Sequence, residues 1–290
     1  MQIQGKTAFR DISIVTLNSF TPAEHVQWRR KCGKTIIESH GVYWQEIKRG
    51  FYQPSHLLYK CRPEQIALPK LMAWGVRAAL TDEYISQANS HFNVHTISDL
   101  QNYDLEQWSS NRRNQYRRSM KRCRFVEILD KDILLQEGFA VVRDSFARIG
   151  HDRGTPDENN YRNKCCNYLN DGQNRNMILA GLVDGKLGGI FEVYAVDGFA
   201  YLETANFADF ALSSYVSIGL HYEFIQVCRR SPAIHTLVHG QVAADDEGLR
   251  TYKKSLNFNE QSIPSLVKLL PGVSAAMRII APGKYAKLFT

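Results

Sequence analysis

Two Asp-Gly pairs, Asp184-Gly185 and Asp197-Gly198, separate three runs rich in strand formers: "NMILAGLV", "LGGIFEVYAV" and "FAYLETANF". A two-residue hairpin turn needs positive φ at both positions, and Asp and Gly adopt it at small cost. With linkers this short the three strands can only fold back on one another, as an antiparallel meander. The meander needs an apolar cover. The next segment, "ALSSYVSIGLHYEFIQVCRR", supplies it, because Leu212, Val216, Leu220 and Phe224 recur at helical spacing.

The rest of the chain is read around this centre. "AIHTLVHG" is a further strand, and "DDEGLRTYKKSLNF" is a short helix with acids first and lysines last, as the helix dipole prefers. Upstream, "LLQEGFAVVRDSFARIG" reads as a helix, and a second is expected after Pro156 with Thr155 as its cap. Near the start, "DISIVTL" alternates like a strand, and Pro22 opens a helix. "GVYWQEIKR" and "HLLYKC" are strand-like, "PKLMAWGVRAALTDEYI" reads as a helix weakened by Gly75, and the tail turns around Pro271 and Pro282 and packs back on the body.

"SSNRRNQYRRSMKRCRF" carries seven Lys or Arg side chains and no acid between Arg112 and Arg124. Ser109 or Ser110 caps a helix in which Tyr116, Met120 and Cys123 share the core-facing side. The formal net charge of the 290-residue chain is +7, so this one segment accounts for most of the field. Such a balance favours anionic partners without choosing among them. Because Tyr116 faces the core, base stacking is not favoured. Binding through phosphates would instead weaken steeply with salt.

Several function classes are excluded or disfavoured. No run of 18 apolar residues is present for a membrane span, and "MQIQGKTAFRDISIV" lacks the apolar core of a signal peptide. Six cysteines without a C-x-x-C pair are expected as reduced thiols in a cytoplasmic protein. "HFNVH" lacks the Glu of a zinc-protease motif, and His235 and His239 lack a nearby third ligand, so no metal is expected. G-x-S-x-G, Walker and G-x-G-x-x-G motifs are missing.

From Ser109 the order is basic helix, strand, helices, three-strand meander, helix, strand, short helix. This resembles the GNAT acyltransferase fold, most of all its branch related to the FemAB peptidyltransferases. The likeness is carried by "NRRNQYRRSMKRCRFVEI", by "LAGLVDGKLGGIFEVYAVDGFAYLETANF" and by "GLRTYKKSLNF", and it covers about residues 100–262. It implies an α/β fold with a mixed, mostly antiparallel sheet flanked by helices. Residues 100–290 would form the GNAT-like domain. Residues 1–99 would form a smaller N-terminal α/β module, read as a degenerate GNAT half.

The resemblance also implies N-acyl transfer to an amine acceptor, with a CoA thioester (acetyl-CoA in much of the family) or aminoacyl-tRNA as co-substrate and no tightly bound cofactor. Two departures stand out. "ANFADFALSSYVSIG" lacks the family's Gly-rich pyrophosphate turn and carries Asp209, which would repel phosphate. Asn257 stands where the branch more often has Gly, and Asn tolerates the left-handed cap.

The candidate site follows. Glu203 is the expected base, ahead of Glu192, because a carboxylate in a half-apolar cleft has a raised pKa. Tyr252 is a proton donor and His239 a functional group at a strand end. Ser213, Ser214 and Lys253 are the donor's anion contacts. Arg112, Arg113, Arg117, Arg118, Lys121 and Arg122 form a surface for nucleic acid or another anion. A second reading from the same residues is a catalytically silent module that binds RNA or another polyanion through this helix.

Overall fold

Both Asp-Gly turns form as expected: Asp184 and Gly185 have φ of 51° and 77°, and Asp197 and Gly198 have 52° and 79°. The structure, a computed structural model, describes residues 8–149, 155–169, 172–241 and 247–289.

In chain order the elements begin with β1 (Phe9–Asp11), α1 (Pro22–Lys31), β2 (Ile36–Ser39), β3 (Val42–Lys48), β4 (Phe51–Pro54), β5 (Lys60–Cys61), β6 (Gly75–Leu80) and β7 (Ser90–Ile97). There follow α2 (Ser110–Arg122), β8 (Cys123–Ile128), α3 (Lys131–Ile133), α4 (Phe139–Ile149) and α5 (Glu158–Tyr168). The meander strands are β9 (Asn176–Val183), β10 (Lys186–Val196) and β11 (Phe199–Phe207). The chain continues through α6 (Val216–Arg229), β12 (Thr236–Gln241), α7 (Glu247–Lys254), β13 (Asn259–Leu269), α8 (Val273–Ile280) and α9 (Pro282–Phe289).

The described residues fall into two compact units. The larger takes them from 1–21, 95–240 and 244–259, and the smaller from 22–94, 241–243 and 260–290. A single cut near residue 99 was expected. Instead the chain's ends are exchanged, for a reason visible in the pairing. β1 adds to the larger unit's sheet (Arg10 opposite Glu127), and β13 adds to the smaller one's (Val267 opposite Arg77).

In the larger unit the strands run β1-β8-β9-β10-β11-β12, antiparallel except for the last pair. α6 packs on one face, with α2 over it, and α4 and α5 engage the meander. The expected apolar stripe of α6 is wider than its spacing indicated. Val216, Leu220 and Phe224 are buried, but so are Ile218, His221, Glu223, Ile225 and Val227. Leu212 lies outside the helix and is exposed. A helix enclosed on most sides cannot be read from one stripe.

α2 is capped by Ser109, whose side chain accepts from Arg112 N–H. Its packed face is Tyr116, Ser119 and Cys123, while Met120 is 47% exposed. The shift has a steric cause: α6 presents Gly219 to α2, and a Cβ there would lie 2.2 Å from Phe125 Cζ and 2.5 Å from Ser119 Oγ. Small residues on both helices bring the backbones together where Met120 has no room.

Three further expectations are corrected. Residues 75–80 form a strand, because β6 pairs with β13, β4 and β5, whereas a helix was expected. Asp157, not Thr155, caps α5, its carboxylate accepting from Asn160 N–H at 2.8 Å. The tail contributes the eleven-residue strand β13 before its helices. No described helix is long and apolar enough to cross a membrane.

Gly219→Ala is expected to lower stability by about 1–2 kcal/mol in urea unfolding. The rigid contact with Phe125 outweighs the roughly 1 kcal/mol that helix propensity alone would gain.

Candidate active site

β11 and β12 run parallel and pair at Phe199–Thr236, Ala200–Leu237 and Tyr201–Val238. Beyond that register β11 continues to Phe207 and β12 to Gln241 without pairing to each other. The two strands part, and the residue at the parting on β12 is His239.

His239 Nε2 lies 2.9 Å from His221 Nε2, on the buried face of α6, with the rings stacked at 14°. His221 Nδ1 is 2.7 Å from Ser217 O, one turn back along α6. That contact requires Nδ1–H, so in the neutral ring Nε2 is an acceptor and the proton between the two imidazoles belongs to His239. The Tyr252 hydroxyl is 3.2 Å from His221 Nδ1, and Phe191 and Phe258 close the site edge-on against His221 and His239. Burial depresses His221 to about 4 and holds His239 well below the usual histidine value, with the Lys253 charge pushing both the same way. Burial raises the Tyr252 phenol to about 12. At neutral pH the trio is therefore two neutral imidazoles and a protonated phenol.

Lys253 is buried, and its ammonium donates to His239 O at 2.7 Å. Expected as a contact for the donor's anion, it instead holds the end of β12. Arg112 lies over the Tyr252 ring at 5.4 Å and donates to Ser255 Oγ at 3.0 Å. Asn257 takes the left-handed conformation, φ 59°, that its position demanded.

Glu203, expected as the base, is elsewhere. It is the extra residue of a β-bulge: Glu192 faces Thr204, and the next residue, Val193, faces Leu202. A bulge re-aims the side chain it carries. Glu203 accepts from Tyr168 of α5 at 3.1 Å, and Glu192 is paired with Lys164 of the same helix. Phe191, next to Glu192 and so on the other face of β10, meets His221 and Phe224 of α6. The two carboxylates thus lie on the face away from the imidazoles. His235 precedes β12 and rests on Phe199.

The turn before α6 is a 3-10 segment, Asp209–Ser214, ending at Tyr215 in the left-handed region (φ 58°) with no side-chain cap. Ser213 is exposed, and its carbonyl accepts from Arg122 at 3.1 Å. Ser214 is buried. Arg118 reaches the Tyr215 hydroxyl at 3.2 Å and covers its ring. Asp209 is paired with Arg148, so the repulsion of phosphate expected from it is offset.

The basic helix therefore divides. Arg112 and Arg113 are turned inward, the latter onto the carbonyls of Glu106 and Trp108. Arg117, Arg118, Lys121 and Arg122 are exposed. Among the described residues no group of three His, Cys, Asp or Glu is placed to hold a metal.

Reading residues alone missed His221. Its only local signal is a histidine in the middle of an apolar helix, and the partner that gives it meaning is 18 residues away on another element.

No family model and no curated protein sequence matches this chain. Solved structures do. L-PGS from Bacillus licheniformis aligns at TM-score 0.57 over 93% of this chain and 94% of its own, with 13% identity. The C-terminal domain of a protein described as a lysylphosphatidylglycerol synthetase from Agrobacterium fabrum aligns at 0.56 over 89% and 91%, with 11% identity. FemX aligns at 0.52 over 72% and 75%, with 9% identity. The chain has the GNAT-like fold of these proteins, a mixed and mostly antiparallel sheet flanked by helices, as the resemblance implied.

The buried imidazoles give a stability signature. The unfolded chain protonates histidine near pH 6.5, whereas folded His221 resists until about 4. The unfolded state thus binds more protons between these values, and stability falls as pH drops. From pH 7 to pH 5 the His221 contribution is about 2 kcal/mol. His221→Asn should flatten that segment of the stability–pH curve measured by urea unfolding.

Proposed function

We propose that the protein is an N-acyltransferase, with the parting of β11 and β12 as its reaction cleft. The observation that carries this reading is the Tyr252–His221–His239 chain at the point where the two strands separate. In it an amine attacks the acyl carbonyl and the bond to the leaving group breaks. The leaving atom takes the Tyr252 proton, and the proton released by the amine returns to Tyr252 through the neutral imidazoles. Tyr252 suits the role because its phenol is fully protonated at neutral pH, and the histidines because each ring nitrogen pair carries one donor and one acceptor.

The donor we favour is aminoacyl-tRNA over a CoA thioester. The turn before α6 lacks the glycines that would let backbone wrap a pyrophosphate. Beside it, Arg117, Arg118, Lys121 and Arg122 present exposed cations suited to a phosphate backbone. The fold shared with FemX and with L-PGS supports acyl transfer as the reaction class. The acceptor is a small-molecule or peptide amine.

The test is acyl transfer from charged tRNA or acyl-CoA to a panel of amines, read by mass spectrometry. Tyr252→Phe and His239→Ala should each lower kcat by roughly 10²–10⁴-fold. Glu203→Gln, on the opposite face, should stay within about threefold of the parent, below the range of an acid–base group. Loss of turnover on removing Glu203, with Tyr252→Phe unaffected, would overturn the assignment. Salt-sensitive RNA binding without transfer to any acceptor would instead identify a silent RNA-binding module.

A further inference from the structure

Large apolar side chains of the smaller unit are exposed on the loop before β6 and on α8. Leu71 is 98% exposed, Met72 84%, and Ile279 and Ile280 81% each, with Leu270 at 39%. The loop and the tail are joined by backbone hydrogen bonds. Trp74 N–H donates to Gly50 O at 2.8 Å, Leu270 N–H to Trp74 O at 2.8 Å, and Val273 N–H, at the start of α8, to Leu270 O at 3.0 Å. The 70–74 loop, the β3–β4 turn and the root of α8 are thus one assembly, with Ile279 and Ile280 at the far end of that helix.

The charged side chains on these segments have one sign. Lys48, Arg49 and Lys70 are exposed on the loop side. From residue 261 to the end the sequence has Lys268, Arg278, Lys284 and Lys287 and no acid. Glu46, close by, accepts from Gly50 N–H at 2.7 Å and the Tyr52 hydroxyl at 3.1 Å, and its negative charge offsets part of that of Lys70 and Arg49.

We propose that the 70–74 loop and α8 of the smaller unit dock together on an anionic lipid surface. Leu71, Met72, Ile279 and Ile280 would enter the boundary between headgroups and acyl chains, and Lys70, Arg278, Lys284 and Lys287 would meet the lipid phosphates. Charge complementarity selects this occupant, because cations set beside apolar side chains match a surface with phosphates above hydrocarbon. The shape agrees. The apolar groups project from a loop and a helix end, and a fluid interface accepts such protrusions without a complementary pocket. The proposal is independent of the acyltransferase reading.

The test is co-sedimentation of the full chain with vesicles of phosphatidylcholine, with and without about one-third phosphatidylserine. Binding is expected only to the anionic vesicles and should weaken with salt. Ile279→Glu/Ile280→Glu and, separately, Leu71→Glu/Met72→Glu should each reduce the partition coefficient at least about tenfold, with unchanged circular dichroism. Equal binding to both vesicle types, no binding to either, or glutamate variants that bind like the parent would overturn the proposal. So would concentration-dependent self-association that the glutamate variants abolish in the absence of vesicle binding, which would make the surface a contact between copies of the chain.

Discussion

The larger unit is organised by the parting of two parallel strands. β11 and β12 share three registered pairs and then separate at Val238. Past that point no ladder hydrogen bonds join them, so the backbone polar groups of His239 and its neighbours need other partners. For the carbonyl of His239 the structure meets the need with a side chain. Lys253 reaches back to His239 O, and the His239 ring joins His221 on the adjoining helix. A feature that would be a defect in a closed sheet becomes a place where proton-carrying groups gather, His221 buried and His239 and Tyr252 partly so.

Burial decides what those groups can do. An exposed histidine pair would titrate near pH 6.5, but desolvation keeps both rings neutral across the physiological range. Neutral imidazoles are donor and acceptor at once. The same burial holds Tyr252 as a phenol. Glu203 would have been the simpler base, but the bulge at Glu192–Val193 turns it to α5, where Tyr168 binds it.

What could be read in the residues follows from how local each signal is. The Asp184-Gly185 and Asp197-Gly198 turns, the Ser109 cap and the left-handed Asn257 depend on neighbouring positions, and all appear as expected. Tyr252 and His239 could be singled out by residue type. Non-local features could not be read. Gly75 looked like a weak point in a helix until its pairing partner Leu269, nearly two hundred residues on, placed it in a sheet. Met120 looked like core until Gly219 and Ser119 drew α2 and α6 together. Glu203 looked cleft-facing because a bulge is a property of two strands at once.

Histidine side-chain nitrogen shifts, followed with and without an RNA stem carrying a non-hydrolysable 3′-aminoacyl amide, test the central claim most directly. His221 and His239 should remain neutral from pH 8 to about pH 5, with the proton between their Nε2 atoms on His239, and both signals should move when the analogue binds. Titration of either ring near pH 6.5, or binding of the analogue that leaves both signals unchanged, would contradict it.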